Sequence, residues 1–102
     1  MKIEWTDPAV SDLEGIKEYI VRDSEYYAAL LVEKIINSVE NLKQFPGIGR
    51  MVPEAKNKSI REILLRNYRI IYHVERERIL VLTVIHGSMD LTRKKPEPWE
   101  II

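Results

Sequence analysis

The sequence predicts an α+β fold in which an N-terminal strand is followed by a two-helix hairpin packed on a mostly antiparallel sheet of about four strands. Three observations predict it. Apolar residues recur twice at helical spacing in the first half. Pro46, Gly47 and Gly49 then interrupt any helix. From Ser59 to Ile85 the pattern changes to the period of two that marks strands.

The elements follow in order. Lys2 to Trp5 is short, but Ile3 alternates with polar neighbours, as an edge strand would. Asp7 and Pro8 suit an N-cap and a first helical position. Ala9, Leu13, Ile16 and Ile20 then mark one apolar helix face, at steps of four, three and four. Asp23-Ser24 offers a second cap, and Ala28, Leu31, Ile35, Val39 and Leu42 mark the inner face of a second helix. Phe45-Pro-Gly-Ile-Gly49 ends it. Residues 46–59 read as a loop of about fourteen residues, long enough to suggest a binding surface. Ile60 to Leu65 is a strand whose alternation Arg61 and Glu62 break. In Tyr68 to Val74, residues Tyr68, Ile70, Tyr72 and Val74 share one face, and Arg69, Ile71 and His73 share the other. Glu75 to Arg78 is a short polar connection, so the next strand closes a hairpin. Ile79 to Ile85 is apolar on both faces apart from Thr83, as expected of a covered central strand. Tyr72 and Val74 are expected beneath the helices, against Val81 and Leu13. In the tail, Pro96 and Pro98 oppose helix, and Trp99, Ile101 and Ile102 are expected to fold back on the domain.

A length of 102 residues fits one domain spanning 1–102. With no cysteine, disulfides and thiolate metal sites are excluded. The two histidines, His73 and His86, make a poor metal site, so neither metal nor cofactor is expected. Gly47-Ile-Gly-Arg50 lacks the Lys-Ser/Thr of a nucleotide loop. No apolar run approaches the roughly 20 residues of a membrane helix. Met1 leads straight into structure without a signal peptide, so a cytoplasmic location is expected. Sixteen basic and sixteen acidic residues balance overall, but residues 1–44 carry a net charge of −4 and residues 45–102 a net of +4. Five bases and one acid lie between Lys56 and Arg69, a local excess that an anionic partner could meet or that water could solvate. A neutral chain argues against avid nucleic-acid binding.

Several short motifs, taken in order, resemble the RelE/ParE superfamily of toxins from type II toxin–antitoxin systems, its ParE-like branch most closely. They are Trp5, the helix Ala9 to Ile20 with its Asp12-Leu13 pair, and Phe45-Pro-Gly-Ile-Gly-Arg-Met-Val-Pro-Glu54. Ile60-Arg-Glu62, Tyr68-Arg-Ile-Ile-Tyr72 and Val84-Ile-His-Gly-Ser-Met-Asp-Leu91 complete the set. The resemblance covers nearly the whole chain and implies the same element order. It further implies a toxin of a plasmid-stabilisation-type module, held inactive by an antitoxin encoded beside it.

The superfamily divides by mechanism. One class cuts messenger RNA on the ribosome without metal, which requires a base, an acid and cations for the phosphorane charge. Arg61, Arg69 and His86 are the candidates for such a set. Ile63, Leu65, Ser88 and Met89 stand where that class often carries basic groups, and no tyrosine follows Tyr72. The ParE-like class inhibits DNA gyrase by binding and leads to growth arrest with no catalytic set, which fits this sequence better. A non-toxic binding module is a third reading. The target-binding candidates are Arg50, Arg61, Arg69, His86, Met89 and Trp99. The antitoxin-binding candidates are the apolar residues Tyr26, Tyr27, Leu30, Val32 and Ile36 of the second helix. Structural roles compete at each position. Arg61 and Arg69 could pair with Glu54, Glu62 or Glu75, His86 could fix a turn by bonding Asp90, and His73 could be satisfied by neighbours.

Overall fold

Thr6 opens the first helix. Its hydroxyl accepts from the Ala9 amide at 3.2 Å and lies 3.0 and 3.1 Å from the carbonyls of Val81 and Leu82. One side chain thus caps the helix and ties it to the central strand. The expected cap, Asp7, falls instead in the first turn, because only the residue before it has the extended conformation and the reach. In the computed structural model, which describes residues 1–101, the elements are β1 (Lys2–Trp5), α1 (Asp7–Val21), α2 (Glu25–Glu40), β2 (Arg50–Met51), β3 (Ile60–Leu65), β4 (Tyr68–Val74) and β5 (Arg78–His86). Ser24 caps α2 by accepting from the Tyr27 amide at 3.0 Å.

The sheet has five strands in the order β1-β5-β4-β3-β2. β1 runs parallel to β5 along one edge, and every other pairing is antiparallel. The strand absent from the sequence reading is β2, two residues inside the 46–59 segment. It is too short to show any periodicity, and its pairing with Glu62 and Arg61 creates it. A register shift at Ile71/Tyr72 leaves Leu82 as an extra residue in β5.

The helices cover one face. Ala9, Leu31, Ile35 and Val39 pack on Ile70, Val81 and Val84, flanked by Leu13, Ile16 and Ile20 as the periodicity requires. Tyr72 and Val74 depart from expectation in one respect. They join Leu42 and Ile79 in a separate cluster under the end of α2, while Leu13 stays with Val81. Among the described residues the opposite face of the sheet carries no α-helix, only the short 3-10 turns Leu91–Arg93 and Pro98–Ile101 of the tail. Ile60, Ile71, Leu80, Leu82 and Ile85 are covered there by Val52 and Ala55 of the loop and by Leu91 and Trp99 of the tail. Trp99 therefore folds back on its own sheet, as expected; the side chains of Ile101 and Ile102 lie outside the described residues. From Ile79 to Ile85 β5 is buried on both faces, and the one polar residue in that run, Thr83, donates to Asp12 of α1 and receives a 3.5 Å contact from Lys94. Asp12 also accepts from the Val84 amide at 3.2 Å, which closes the edge of β5 beyond the end of β1.

Candidate functional site

A cleft of about 570 Å³ opens at the end of the sheet, where the β3–β4 turn meets the end of β5, and is lined by Arg50, Glu54, Arg66, Tyr68, Arg69, His86 and Ser88, among others. Strand register groups Arg50 and Arg69 on the tail side of the sheet, while Tyr68 and His86, opposite each other, reach the cleft from the helix side. Arg69 stands opposite Leu64 and therefore beside Glu62 on the same face, and Arg50 stands opposite Glu62 across the β2–β3 pair. Glu54 follows from the turn after β2.

The result is a chain of alternating charges. Arg69, only 6% exposed, donates from Nε to Glu62 at 2.5 Å. Its two terminal nitrogens meet the two Glu54 oxygens at 3.0 and 2.9 Å, the bidentate geometry that suits guanidinium and carboxylate. Nη1 also donates to the Met89 carbonyl at 3.2 Å. Glu62, 1% exposed, receives Arg50 Nε on its other oxygen at 2.6 Å. The Arg69 guanidinium holds the Glu54 carboxyl down, from 4.5 to about 2, against the opposing effect of burial. Glu54, and after it Glu62, raises the Arg69 pKa above its already high ordinary value. Two arginines and two carboxylates cancel, so the network carries no net charge.

The other arginine candidate lies elsewhere. Arg61 stands opposite Tyr72, on the helix-covered face, and its Nη1 donates to the Gly49 carbonyl at 2.8 Å. The Tyr72 hydroxyl accepts from the Gly49 amide and donates to the Pro46 carbonyl, both at 3.0 Å. A Cβ on Gly49 would meet the Glu62 carbonyl and the Tyr72 hydroxyl at 2.5 Å, so only glycine fits this approach. Arg61 and Tyr72 thus fasten the loop that leads into β2.

His86 is exposed at the end of β5, opposite Tyr68, and the two rings meet edge-on at 6.1 Å. Its Nδ1 lies 2.7 Å from the Ser88 hydroxyl. The expected bond to Asp90 does not form, because Asp90 accepts instead from the amide and hydroxyl of Thr92 and caps the next turn. Glu75, the third proposed acceptor, is engaged by Arg78 and His73; the latter contact, at 2.9 Å, satisfies His73 as expected.

Of the six target-binding candidates, Arg50, Arg69 and His86 therefore line one cleft, and Met89, 44% exposed, meets Arg69 through its carbonyl but lines a neighbouring groove with Tyr19 and His86. Arg61 faces the other side of the sheet, and Trp99 is turned inward. Sequence reasoning missed the Tyr72 clamp and the Asp12–Thr83–Lys94 link. A lone threonine in an apolar strand was the available signal for the second. On the hairpin, Tyr26 is 78% exposed, Tyr27 and Ile36 are exposed, and Leu30 and Val32 are half-buried. Tyr27 has an internal partner, Arg66, whose guanidinium lies 5.9 Å from its ring centre. Among the described residues no three His, Asp or Glu side chains are placed to hold a metal, and no helix is long and apolar enough to cross a membrane.

Residues 3–91 match the family model described as the ParE toxin of the type II toxin–antitoxin system, parDE. The chain is 36% identical over 88 residues to a Sinorhizobium fredii protein described as "Putative toxin Y4kP", covering 84% of this chain and 88% of that one. Its fold matches a chain from the chromosomal ParDE system of P. aeruginosa with a TM-score of 0.70 and 25% identity, over 84% of this chain and 95% of the other. It also matches a chain of the RelBE2 toxin–antitoxin complex of Mycobacterium tuberculosis (TM-score 0.60, 17% identity, 83% and 95% covered). The YoeB/ParE toxin of Agrobacterium tumefaciens gives a TM-score of 0.59 at 23% identity, with 84% and 98% covered; these last two likenesses concern the fold alone. The strand–helix–helix–sheet order, the motifs on it and these matches place the chain in the ParE toxin family of type II toxin–antitoxin systems, within the RelE/ParE superfamily.

Proposed function

We propose that this chain is a toxin that acts by binding, with DNA gyrase as its target, and that it cuts no RNA. The observation that carries this reading is the state of Arg69. A cation that stabilises a phosphorane must face the phosphate with its charge available. Arg69 is buried, bonded to two carboxylates and a carbonyl, and belongs to an ion-pair network of two arginines and two carboxylates whose charges cancel. Arg61 is on the other face of the sheet from Arg69, and it stands opposite Tyr72 whereas His86 stands opposite Tyr68, four residues along β4, so the three residues that cleavage would need do not converge. A single exposed histidine beside a neutral ion-pair network lacks a partner for acid–base work. Binding needs no such convergence. The surface around Arg50, Met89 and the turn after β5 serves it, with the energy spread over several residues.

The cognate antitoxin is the second partner in this proposal. ParDE and RelBE2 are toxin–antitoxin systems in the related structures, and the hairpin here leaves Tyr26, Ile36 and, less fully, Val32 uncovered beside an acidic surface. A segment with apolar and basic residues lying along α2 fits that chemistry. Induction of the chain alone tests the whole reading. The expected result is growth arrest with relaxed plasmid DNA and intact messenger RNA, relieved by co-expression of the neighbouring gene product. Arrest with fragmented message and normal supercoiling would overturn it.

A further inference from the structure

We propose that Arg69 is a positioning residue: through Glu54 it locks the segment from Met89 to Trp99 onto the face of the sheet opposite α1 and α2 and so shapes the surface that meets the target. This rests on the binding function proposed above. Its ground is where the bonds of the network end. Arg69 donates to the Met89 carbonyl at 3.2 Å, and the Glu54 oxygen that pairs with Arg69 also lies 3.4 Å from the Leu91 amide. Two consecutive attachment points on the outgoing chain are therefore held by one buried ion pair.

Their effect extends along the tail. Leu91 is fully buried between Val52 and the strands, and Trp99 packs against the same cluster, so fixing residues 89–91 fixes where the tail begins its course over the sheet. Lys94 reaches back to Thr83 at 3.5 Å, a third attachment. Between these points Met89 stays 44% exposed and Arg93 is exposed, so an apolar and a cationic group are held outward on an anchored backbone. Arg93, Lys94 and Lys95 against Asp90 and Glu97 leave this stretch a net charge of +1, with Lys95 paired to Glu97 and Arg93 the outward cation, which suits an acidic protein surface. Anchoring reduces the ordering that binding would otherwise require. The tail's own regular structure is two short 3-10 turns, Leu91–Arg93 and Pro98–Ile101, and a neutral side chain at position 69 could not make the bidentate pair that holds it.

Trypsin reads the lock directly, because Arg93 and Lys94 lie within the anchored segment and are each followed by a cleavable bond. In Arg69→Ala, and in the milder Glu54→Gln, which keeps Arg69 on Glu62, cleavage after Arg93 or Lys94 should run at least about tenfold faster than in the wild type. In Glu54→Gln, cleavage at Lys17 and Lys34 in the hairpin should stay near the wild-type rate, whereas the larger destabilisation of Arg69→Ala opens those sites as well. Growth arrest by matched amounts of soluble protein should weaken in the same order, and Arg93→Glu should weaken it while the tail stays protected. If Glu54→Gln protects the tail as well as the wild type does, or if hairpin and tail sites open together in that variant, there is no lock. A freed tail with undiminished arrest would show that the lock does not shape the target surface. A wild-type chain that arrests nothing would count against the proposed function, while the cleavage ratio would still decide the lock.

Discussion

The two faces of the sheet are held by different physics. On the helix side, Ala9, Leu31, Ile35 and Val39 meet Ile70, Val81 and Val84 through apolar contact, which is non-directional and tolerant of modest change. On the tail side an apolar floor is roofed by irregular chain. That roof is fixed by directional bonds from Arg69, Glu54 and Thr83. Burying such groups is favourable only while each has its partner, and among the described residues every buried side-chain nitrogen and oxygen has one. The helix side builds the fold, and the tail side carries the ion-pair network. A protein that works by surface recognition can shape a loop and a tail in this way without altering its core.

The largest expected effect lies on the helix side. Val81→Asp buries an unpaired charge under both helices, at a cost of about 5 kcal/mol, comparable to the whole stability of a small domain. The chain should lose its cooperative thermal transition, and an unchanged Tm would mean that the helices do not cover this face.

On the tail side, Arg69→Ala strands Glu62 with only the exposed Arg50 and should cost about 3–5 kcal/mol. The comparison sharpens in the triple variant Arg69→Met with Glu62→Leu and Glu54→Gln, which removes the buried cation and both its carboxylates together. It should recover most of that loss in denaturant unfolding while leaving the tail open to trypsin. A triple variant as unstable as the single one would make the network a source of stability and not of shape.

Acid separates the faces next. Glu54 has its folded pKa lowered from 4.5 to about 2, so its contribution is fully present above 4.5 and is lost as pH falls from there through about 2. Stability should drop by up to about 3 kcal/mol across that window, and Glu54→Gln should flatten this limb of the curve. A Glu54→Gln profile parallel to the wild type would contradict the ion pair.

The helix side was legible because its signals are periodic. The steps between Ala9, Leu13, Ile16 and Ile20 and the alternation in Tyr68–Val74 follow from backbone geometry alone. The cap of α1 was read one residue late because Thr6 also bonds two carbonyls of β5, a long-range reason that no local pattern encodes. The cleft was legible as a list and not as an arrangement. Arg61 and Arg69 look equivalent in sequence, yet register puts them on opposite faces. The pairing of Arg69 with Glu54 depends on β2, which only tertiary contact creates.

The smallest of these effects tests that long-range cap. Thr6→Ala should cost about 1 kcal/mol or somewhat more, since it removes the cap and the tie to β5 together, whereas Asp7→Ala should cost less than half as much. Equal costs in thermal unfolding would return the cap to Asp7.

The central claim, recognition without cleavage, is tested most directly by titrating the purified chain into a gyrase supercoiling reaction, with wild type, His86→Ala and Arg50→Ala compared. The account predicts inhibition by the wild type, little change for His86→Ala, and a partial, graded loss for Arg50→Ala. Undisturbed supercoiling, from a chain that instead cuts ribosome-bound message and stops cutting when His86 is removed, would contradict it.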